Sequence, residues 1–486
     1  MKIDIYHPER VLTIIICRGY RETGMVLYSS EGGEDMEKDY DAIVVGTGVA
    51  GSAVAHHLSD AGMRVAIADM ERYGGTCVLK GCSPKKILTG MAEIIDSNNR
   101  MTGKGGVGAD KHIRWKDLMD FKNEIVDMYS AARVKGYEEA GIEMYHGRAH
   151  FVDGSTLAIG DDNIKAKYIV LATGAKPADV KIPGMEHLTT SSDFLDLEEL
   201  PERIIFAGGG FISFEFAHIA ARAGVEATIL HRSVRALKNF EPDLVELLIR
   251  VSDYAGIRVR TMQEIRKIEY DNKELEIIIT VLDRATNEEL TYKCDMVVHG
   301  MGRTARIEGL KPGKGNVAVR DGAIEVNEYL QSTSNPRVYA AGDCIKQGPP
   351  LTPVASMHGR VVASNILEGN KHRPDHSTVA SAVFTIPTLA GVGLSEKDMT
   401  DNHEVIFNDM CQWYSVIRTN MEFAASKIIV EKGSGRILGA HMLGPDAENV
   451  INLFALAIRQ GMRMSDMKDV LYAYPSISHD TRSMLG

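Results

Sequence analysis

The stretch Ile43-Val44-Val45-Gly46-Thr47-Gly48-Val49-Ala50-Gly51 decides the fold. A β-branched run ends at Gly46, and a helical pattern begins near Ala50. In such a turn Gly46 permits the tight bend, Gly48 lets the backbone approach a pyrophosphate, and Gly51 lets the helix pack on the strand. The helix start then offers unpaired N–H groups and a positive dipole end to phosphate. An isolated G-x-G-x-x-G is weak evidence, but here Asp69 closes the next strand, 23 residues after Gly46. That is where a ribose 2′-hydroxyl needs an acceptor, so the block reads as a dinucleotide site.

A second block of the same kind is Ile204-Ile205-Phe206-Ala207-Gly208-Gly209-Gly210-Phe211-Ile212-Ser213. Gly208 and Gly210 keep the first two roles. Ser213 stands in the third place and is expected to loosen the packing of helix on strand. The next strand ends at His231-Arg232-Ser233, with Lys238 beyond and no carboxylate. The cations Arg232 and Lys238 suit a 2′-phosphate, so NADPH is expected over NADH.

Around these blocks, β-branched runs at 42–45, 64–68, 168–171, 203–206, 227–230 and 295–299 alternate with Gly turns and helical stretches. That rhythm predicts βαβ units around parallel sheets. Near Phe384 the character changes. Antiparallel strands are expected within 383–393, 405–413 and 427–443, with helices at 446–461 and 464–471. The fold class is therefore α/β, with two Rossmann-like dinucleotide-binding domains and a C-terminal α+β domain. Residues 1–35 read differently, as an irregular extension; Met36 is a functional start, or the extension is loosely packed.

Composition bounds the partners. The 486 residues are 44% hydrophobic and 25% charged, with net charge −11. This excludes a disordered chain. The acidic balance argues against a nucleic-acid or anionic-membrane surface. No run approaches the roughly 18 apolar residues of a membrane span. Six cysteines do not make a secreted disulfide framework. Two of them sit in a reactive spacing, in Gly74-Gly75-Thr76-Cys77-Val78-Leu79-Lys80-Gly81-Cys82-Ser83-Pro84-Lys85-Lys86. Cysteines five apart close a small disulfide if the turn brings their Cα atoms within about 7 Å. Near a helix start, with lysines beside them, one thiol is expected to have a lowered pKa. The spacing is not a zinc pattern. Cys294, Cys344 and Cys411 read as packing residues, and Cys17 lies in the extension.

These motifs give the chain, over roughly 38–482, a resemblance to the class I flavoprotein pyridine nucleotide–disulfide oxidoreductases, the group of glutathione reductase, dihydrolipoamide dehydrogenase and mercuric reductase. The resemblance implies FAD in the first block and NADPH in the second. It implies that Cys82 is the thiolate against the flavin and Cys77 the outer, interchange thiol. The family's Gly-Gly-Thr-Cys box places Thr76 at the cofactor. Lys86 falls on the family lysine beside the flavin, and Glu215 on the glutamate that pairs with it. Ala172-Thr173-Gly174 resembles the motif ending the first FAD segment. Ala340-Ala341-Gly342-Asp343 resembles the box whose aspartate binds the ribitol, and Leu351-Thr352-Pro353-Val354-Ala355 the segment under the flavin.

The tail departs from the family pattern. Disulfide-reducing members carry His-Pro-x-x-x-Glu there, and supply it to the partner subunit. Here the stretch is Ala473-Tyr474-Pro475-Ser476-Ile477-Ser478-His479-Asp480. Tyr474 takes the histidine place and His479 the glutamate place. A phenol with a pKa of about 10 is a poor base near neutrality, whereas an imidazole near 6.5 titrates where it is needed. Either His479, with Tyr474 as hydrogen-bond donor, handles the proton, or the tail only shapes the pocket.

The expected organisation is an FAD domain at 36–174 resumed by 303–375, an NADPH domain at 175–302, and a dimerisation domain at 376–486. A cytoplasmic homodimer that reduces a small-molecule disulfide or another thiol-reactive acceptor is expected. The alternatives are a mercuric or cupric ion reductase or a quinone reductase on the same scaffold, and a non-enzymatic redox sensor.

Overall fold

The computed structural model describes residues 2–7, 10–15, 38–106, 108 and 111–486. Within the extension, Lys2–His7 and Arg10–Ile15 pair as an antiparallel hairpin, where irregular chain was expected. Met36 and Cys17 lie outside the described residues.

The first sheet is built on β1 (Lys38–Val45), which leads into α1 (Val49–Asp60) and β2 (Val65–Asp69). Ala42, Ile43 and Val44 are fully buried, as a central strand covered on both faces requires. After β2 come α2 (Gly75–Lys80), α3 (Cys82–Arg100) and α4 (Trp115–Glu139), then β3 (Glu143–His146). A meander follows: β4 (Ala149–Phe151), β5 (Thr156–Ile159) and the long β6 (Asp162–Leu171). The strand order is 3-2-1-6-5-4. The first half of β6 pairs with β5, and its last residues, Ile169–Leu171, pair in parallel with Val338–Ala340 much later in the chain.

The second sheet is parallel throughout. Its centre is β7 (Arg203–Ala207), followed by α5 (Phe211–Arg222) and β8 (Glu226–Leu230). α6 (Pro242–Tyr254) leads to the edge strand β9 (Arg258–Arg260). β10 (Gln263–Asp271), β11 (Glu276–Asp283) and β12 (Glu288–Cys294) form a separate antiparallel sheet before β13 (Met296–His299) returns beside β7. Ser213 does not loosen this unit. It is buried beside Gly300, where a Cβ would fall 2.0 Å from the Ser213 Oγ. The space that a third glycine would free on the helix is supplied by a glycine just after β13.

The chain then returns to the first sheet through β14 (Val338–Ala340) and α7 (Thr352–Glu368). α7 crosses α1 at Gly359, whose Cβ would lie 2.5 Å from the Ala50 carbonyl oxygen. The C-terminal sheet is antiparallel: β15 (Ser381–Val383), β16 (Thr388–Gly393), β17 (His403–Asp409), β18 (Ala425–Glu431) and β19 (Ile437–Gly444), covered by α8 (Ala447–Arg459). Its order is 15-16-19-18-17. No helix among the described residues is long and apolar enough to cross a membrane.

Gly359→Val forces bulk into the α1–α7 crossing. Overpacking of this kind costs about 1–3 kcal/mol, and a lower urea midpoint with an unchanged slope is the expected readout.

Candidate active site

Two glycine contacts bring the separate motifs together. Gly46 has φ +109°, and a Cβ there would lie 2.2 Å from the Ala172 carbonyl oxygen, so the first turn touches the end of β6. Gly75 has φ +67°, and its Cβ would lie 2.4 Å from the Gly48 Cα, so the redox segment packs on the same turn. Gly51 sits against the Gly46 carbonyl oxygen, leaving no room for a side chain. Gly46, Gly48, Asp69, Thr76, Thr173 and Gly174 consequently line one cleft.

Asp69 organises this cleft. Its Oδ2 accepts from the Thr47 amide at 2.8 Å and the Thr47 hydroxyl at 2.7 Å, and its Oδ1 accepts from the Glu71 amide at 3.0 Å. A carboxylate offers about four acceptor positions, so one remains for a ribose hydroxyl. The Thr173 Oγ1 is buried without a hydrogen-bond partner. Asp343 has no hydrogen bond to its carboxylate among the described residues; burial raises its pKa, and the Arg303 charge pulls the other way. Ala355 packs against Gly342, next to it. A glycine cradle and the orphaned Thr173 hydroxyl in one cleft, together with the unpaired Asp343 carboxylate, fit FAD.

The thiols stand beside this groove. Cys77 lies in α2 and Cys82 is the first residue of α3. Gly81 separates the helices, and its Cβ would lie 2.8 Å from the Thr76 carbonyl oxygen. Both cysteines are free thiols, Cys82 exposed and Cys77 half-buried. The hydrogen bond from Cys77 lowers the Cys82 pKa to about 6 against partial desolvation by its neighbours, with help from the Thr352 hydroxyl and the Lys85 charge. The Cys82 Sγ lies 3.3 Å from the Thr352 Oγ1. The same pairing raises the Cys77 pKa, so Cys77 holds the proton.

Below Cys82, Lys85 and Glu215 form a buried ion pair, 3.0 Å from Nζ to Oε1. The expectation for Lys86 is corrected here. Successive helix residues differ by about 100° in direction, so Lys85 faces α5 while Lys86 turns to Glu93 at 2.9 Å and Glu448 at 3.6 Å. The Glu215 Oε1 also accepts from the Phe384 amide at 2.9 Å. Burial raises the Glu215 pKa against these partners. Lys85 lies 3.8 Å from the Phe384 ring centroid, and Lys86 4.7 Å.

At the second turn, Gly208 has φ +106° and Gly210 caps α5. His231 is committed to the turn: its Nδ1 accepts from the Gly209 amide at 3.0 Å, and its Nε2 lies 2.8 Å from the Arg235 carbonyl oxygen. Burial lowers the His231 pKa, and the Lys238 and Arg232 charges act in the same direction. Arg232 and Lys238 are exposed.

The tail pair is not brought to the thiols within one chain. Tyr474 is 74% exposed, and its ring lies 5.0 Å from that of His479. The His479 Nδ1 is 3.9 Å from the Asp480 carboxylate, which also accepts from Ser415. Of the other cysteines, Cys294 ends β12 and Cys344 is buried; burial pushes their thiols up to about 12 and about 11. Cys411 lies just past β17 rather than in a strand. Sequence reasoning missed the Thr352 contact and a histidine pair, His358 and His376, with Nε2 atoms 2.7 Å apart. The His358 Nδ1 accepts from the Gly342 amide at 3.3 Å, so the pair braces the Asp343 turn. No motif announced it.

Residues 40–359 match the family model "Pyridine nucleotide-disulphide oxidoreductase", and residues 379–485 match that family's dimerisation domain. The chain belongs to the pyridine nucleotide-disulphide oxidoreductases. It is 31% identical to the mercuric reductase of Staphylococcus aureus, over 96% of this chain and 86% of that one. It is 30% identical to the glutathione reductase of a Nostoc strain, over 92% of this chain and 100% of that one. Among solved structures, the HOCl-induced flavoprotein disulfide reductase RclA from Escherichia coli superposes with a TM-score of 0.82 at 25% identity, covering 92% of this chain and 99% of that one. A Cu(II) complex of a cysteine-to-serine mutant of the same Escherichia coli protein superposes equally well. Enzymes of this family depend on FAD and use a pyridine nucleotide.

With Cys82 titrating at about 6, its alkylation by iodoacetamide in the reduced protein should be half-maximal near that pH and fall below it, as the thiol gains its proton. Thr352→Val removes a donor to the thiolate. The midpoint is then expected to move upward, towards the usual thiol value of about 8.5.

Proposed function

We propose that this chain takes electrons from NADPH and delivers them through Cys77 and Cys82 to a disulfide or another thiol-reactive acceptor. The observation that carries this reading is the pair of thiols in mutual contact, one lowered and one raised in pKa, beside the cleft that fits FAD. FAD, when bound, supplies the two-electron relay between nicotinamide and sulfur.

In this reading the segments 36–174 and 303–375 hold FAD. Gly46, Gly48, Gly51 and Thr76 cradle the phosphates, Asp69 holds the ribose, and Thr173, Gly174, Asp343 and Ala355 meet the rest of the cofactor. Segment 175–302 holds NADPH through Gly208 and Gly210, with Arg232 and Lys238 on the 2′-phosphate. The exposed, carboxylate-free end of β8 supports NADPH over NADH.

Cys77, once deprotonated, attacks one sulfur of the acceptor disulfide and expels the other as a thiolate. The Cys82 thiolate then attacks the Cys77 sulfur, restores the Cys77–Cys82 bond and releases the second thiol. Cys77 must first give up its proton. Residues 376–486 are read as the interface of a homodimer, and the exposed Leu471 and Tyr474 support a further surface to be covered. Across that interface the tail of one subunit brings Tyr474 and His479 to the thiols of the other, where His479 takes the proton. Cytoplasmic location suits a pair recycled by NADPH.

A second reading, reduction of a metal ion, has specific support: the mercuric reductase relative and the Cu(II) complex of the Escherichia coli neighbour. Two thiolates suit a soft ion such as Hg(II), and the Cu(I) that reduction of Cu(II) yields. Among the described residues no group of three or more His, Cys, Asp or Glu could hold a metal, so Cys77 and Cys82 would carry that chemistry. A quinone acceptor needs the same electrons and no thiol exchange.

For the nucleotide, kcat/KM with NADPH is expected to exceed that with NADH. Arg232→Ala should cut the NADPH value about tenfold or more, since a charge-assisted hydrogen bond contributes about 1.5–3 kcal/mol, and spare NADH. Equal values for the two nucleotides would reject the assignment.

A panel of low-molecular-weight disulfides, Hg(II), Cu(II) and quinones separates the acceptor readings. Disulfide turnover abolished by Cys77→Ser is the expected result; turnover with metal ions alone would favour the second reading.

A further inference from the structure

One face of α5 carries three buried polar side chains: Glu215, His218 and Arg222. Each bonds across to the segment just after β15. The Glu215 Oε1 accepts from the Phe384 amide, the His218 Nδ1 accepts from the Ile386 amide at 3.1 Å, and the Arg222 Nη2 donates to the Ile386 carbonyl oxygen at 3.3 Å. The first and last of the three also reach α3. Glu215 pairs with Lys85 at 3.0 Å, and the Arg222 Nη2 pairs with Asp96 at 2.9 Å.

The two ion pairs have opposite polarity. On α3 the cation comes first and the anion about three turns later; on α5 the anion comes first and the cation about two turns later. Sliding α3 toward its own N-terminus carries Asp96 toward Glu215. Sliding it the other way carries Lys85 toward Arg222. Both movements bring like charges together in a seam where Glu215 is 5% and Arg222 8% exposed. Cys82 is the first residue of α3 and moves with it as a rigid rod.

We propose that Asp96 and Arg222 are positioning residues for the redox centre: with Lys85 and Glu215 they form a two-ended charge key that fixes the axial register of α3, and so the place of the Cys82 sulfur. His218 and Arg222 carry the same register to the C-terminal domain through Ile386. This rests on the reading of Cys82 as the flavin-side thiolate.

The double variant Asp96→Asn/Arg222→Gln tests it. Removing both charges leaves neither Asp96 nor Arg222 as a lone ion in the seam; Arg100, which also pairs with Asp96 at 2.8 Å, keeps its bonds to the Thr419 carbonyl oxygen and the Ser97 hydroxyl, so folding is largely kept while the key is lost. Two readouts apply to the full-length reduced protein and the holoenzyme. The first is the pH midpoint of Cys82 alkylation by iodoacetamide, read on the tryptic peptide starting at Gly81, which excludes Cys77. The second is kcat and the NADPH KM with 5,5′-dithiobis(2-nitrobenzoate) as the probe disulfide. The expected result is a rise in the midpoint of about half a unit to one unit, a several-fold loss of kcat and an unchanged NADPH KM. A double variant with wild-type midpoint and kcat overturns the proposal, whatever its melting temperature. If it does not fold, Asp96→Asn alone, which removes only the charge, decides by the same two outcomes. A wild-type protein that itself lacks the acid-shifted Cys82 titration sinks the reading of the thiol pair instead.

Discussion

The Lys85–Glu215 ion pair is the interaction on which the rest of the site depends. Two charges taken out of water are tolerated only when each is fully engaged. Glu215 meets that demand with Lys85 and the Phe384 amide; Lys85 adds the face of the Phe384 ring. These bonds tie together a helix from each dinucleotide unit and the first strands of the C-terminal sheet. The thiols sit one turn above this junction. Their unequal acidity arises from close mutual contact and from Thr352, at the start of α7, which enters from the returning segment. Four separate stretches of chain therefore converge on two sulfur atoms.

Much of this was legible in the sequence, because glycine leaves an unambiguous mark where backbone meets backbone. Gly46, Gly51 and Gly208 sit where the chain allows nothing larger or no other φ, and Asp69 stands at the end of the strand its spacing named. The cysteine box was equally legible. What escaped the sequence depends on helix phase and on distant partners. Two adjacent lysines look equivalent in a string; only the direction of α3 shows that Lys85 faces Glu215 and Lys86 faces solvent and Glu448. The Ser213 departure looked like a defect because its compensation, Gly300, lies at a distant point in the chain, just after β13. The His358–His376 pair spans 18 residues and the Arg222–Asp96 pair 126, with no local pattern to betray either.

The two nucleotide turns are held by different chemistry. In the first, a carboxylate gathers the Thr47 amide and hydroxyl and keeps one acceptor position toward the cleft. In the second, the imidazole of His231 takes over the bracing of the turn, which frees the end of β8 from negative charge. Replacing an acid by a neutral ring keeps the turn shaped while reversing the local potential. Electrostatics and turn geometry are thus set by the same residue at each site.

The split of the first sheet has a consequence for biosynthesis. While the chain emerges from a ribosome, β6 presents open amide and carbonyl groups at Ile169–Leu171, and only Val338–Ala340 fill them. The whole second dinucleotide unit must be translated, and is free to collapse on its own, before that edge is closed. An exposed edge of this kind invites pairing with a foreign strand. That edge stays open to such pairing throughout the interval between the synthesis of those two segments.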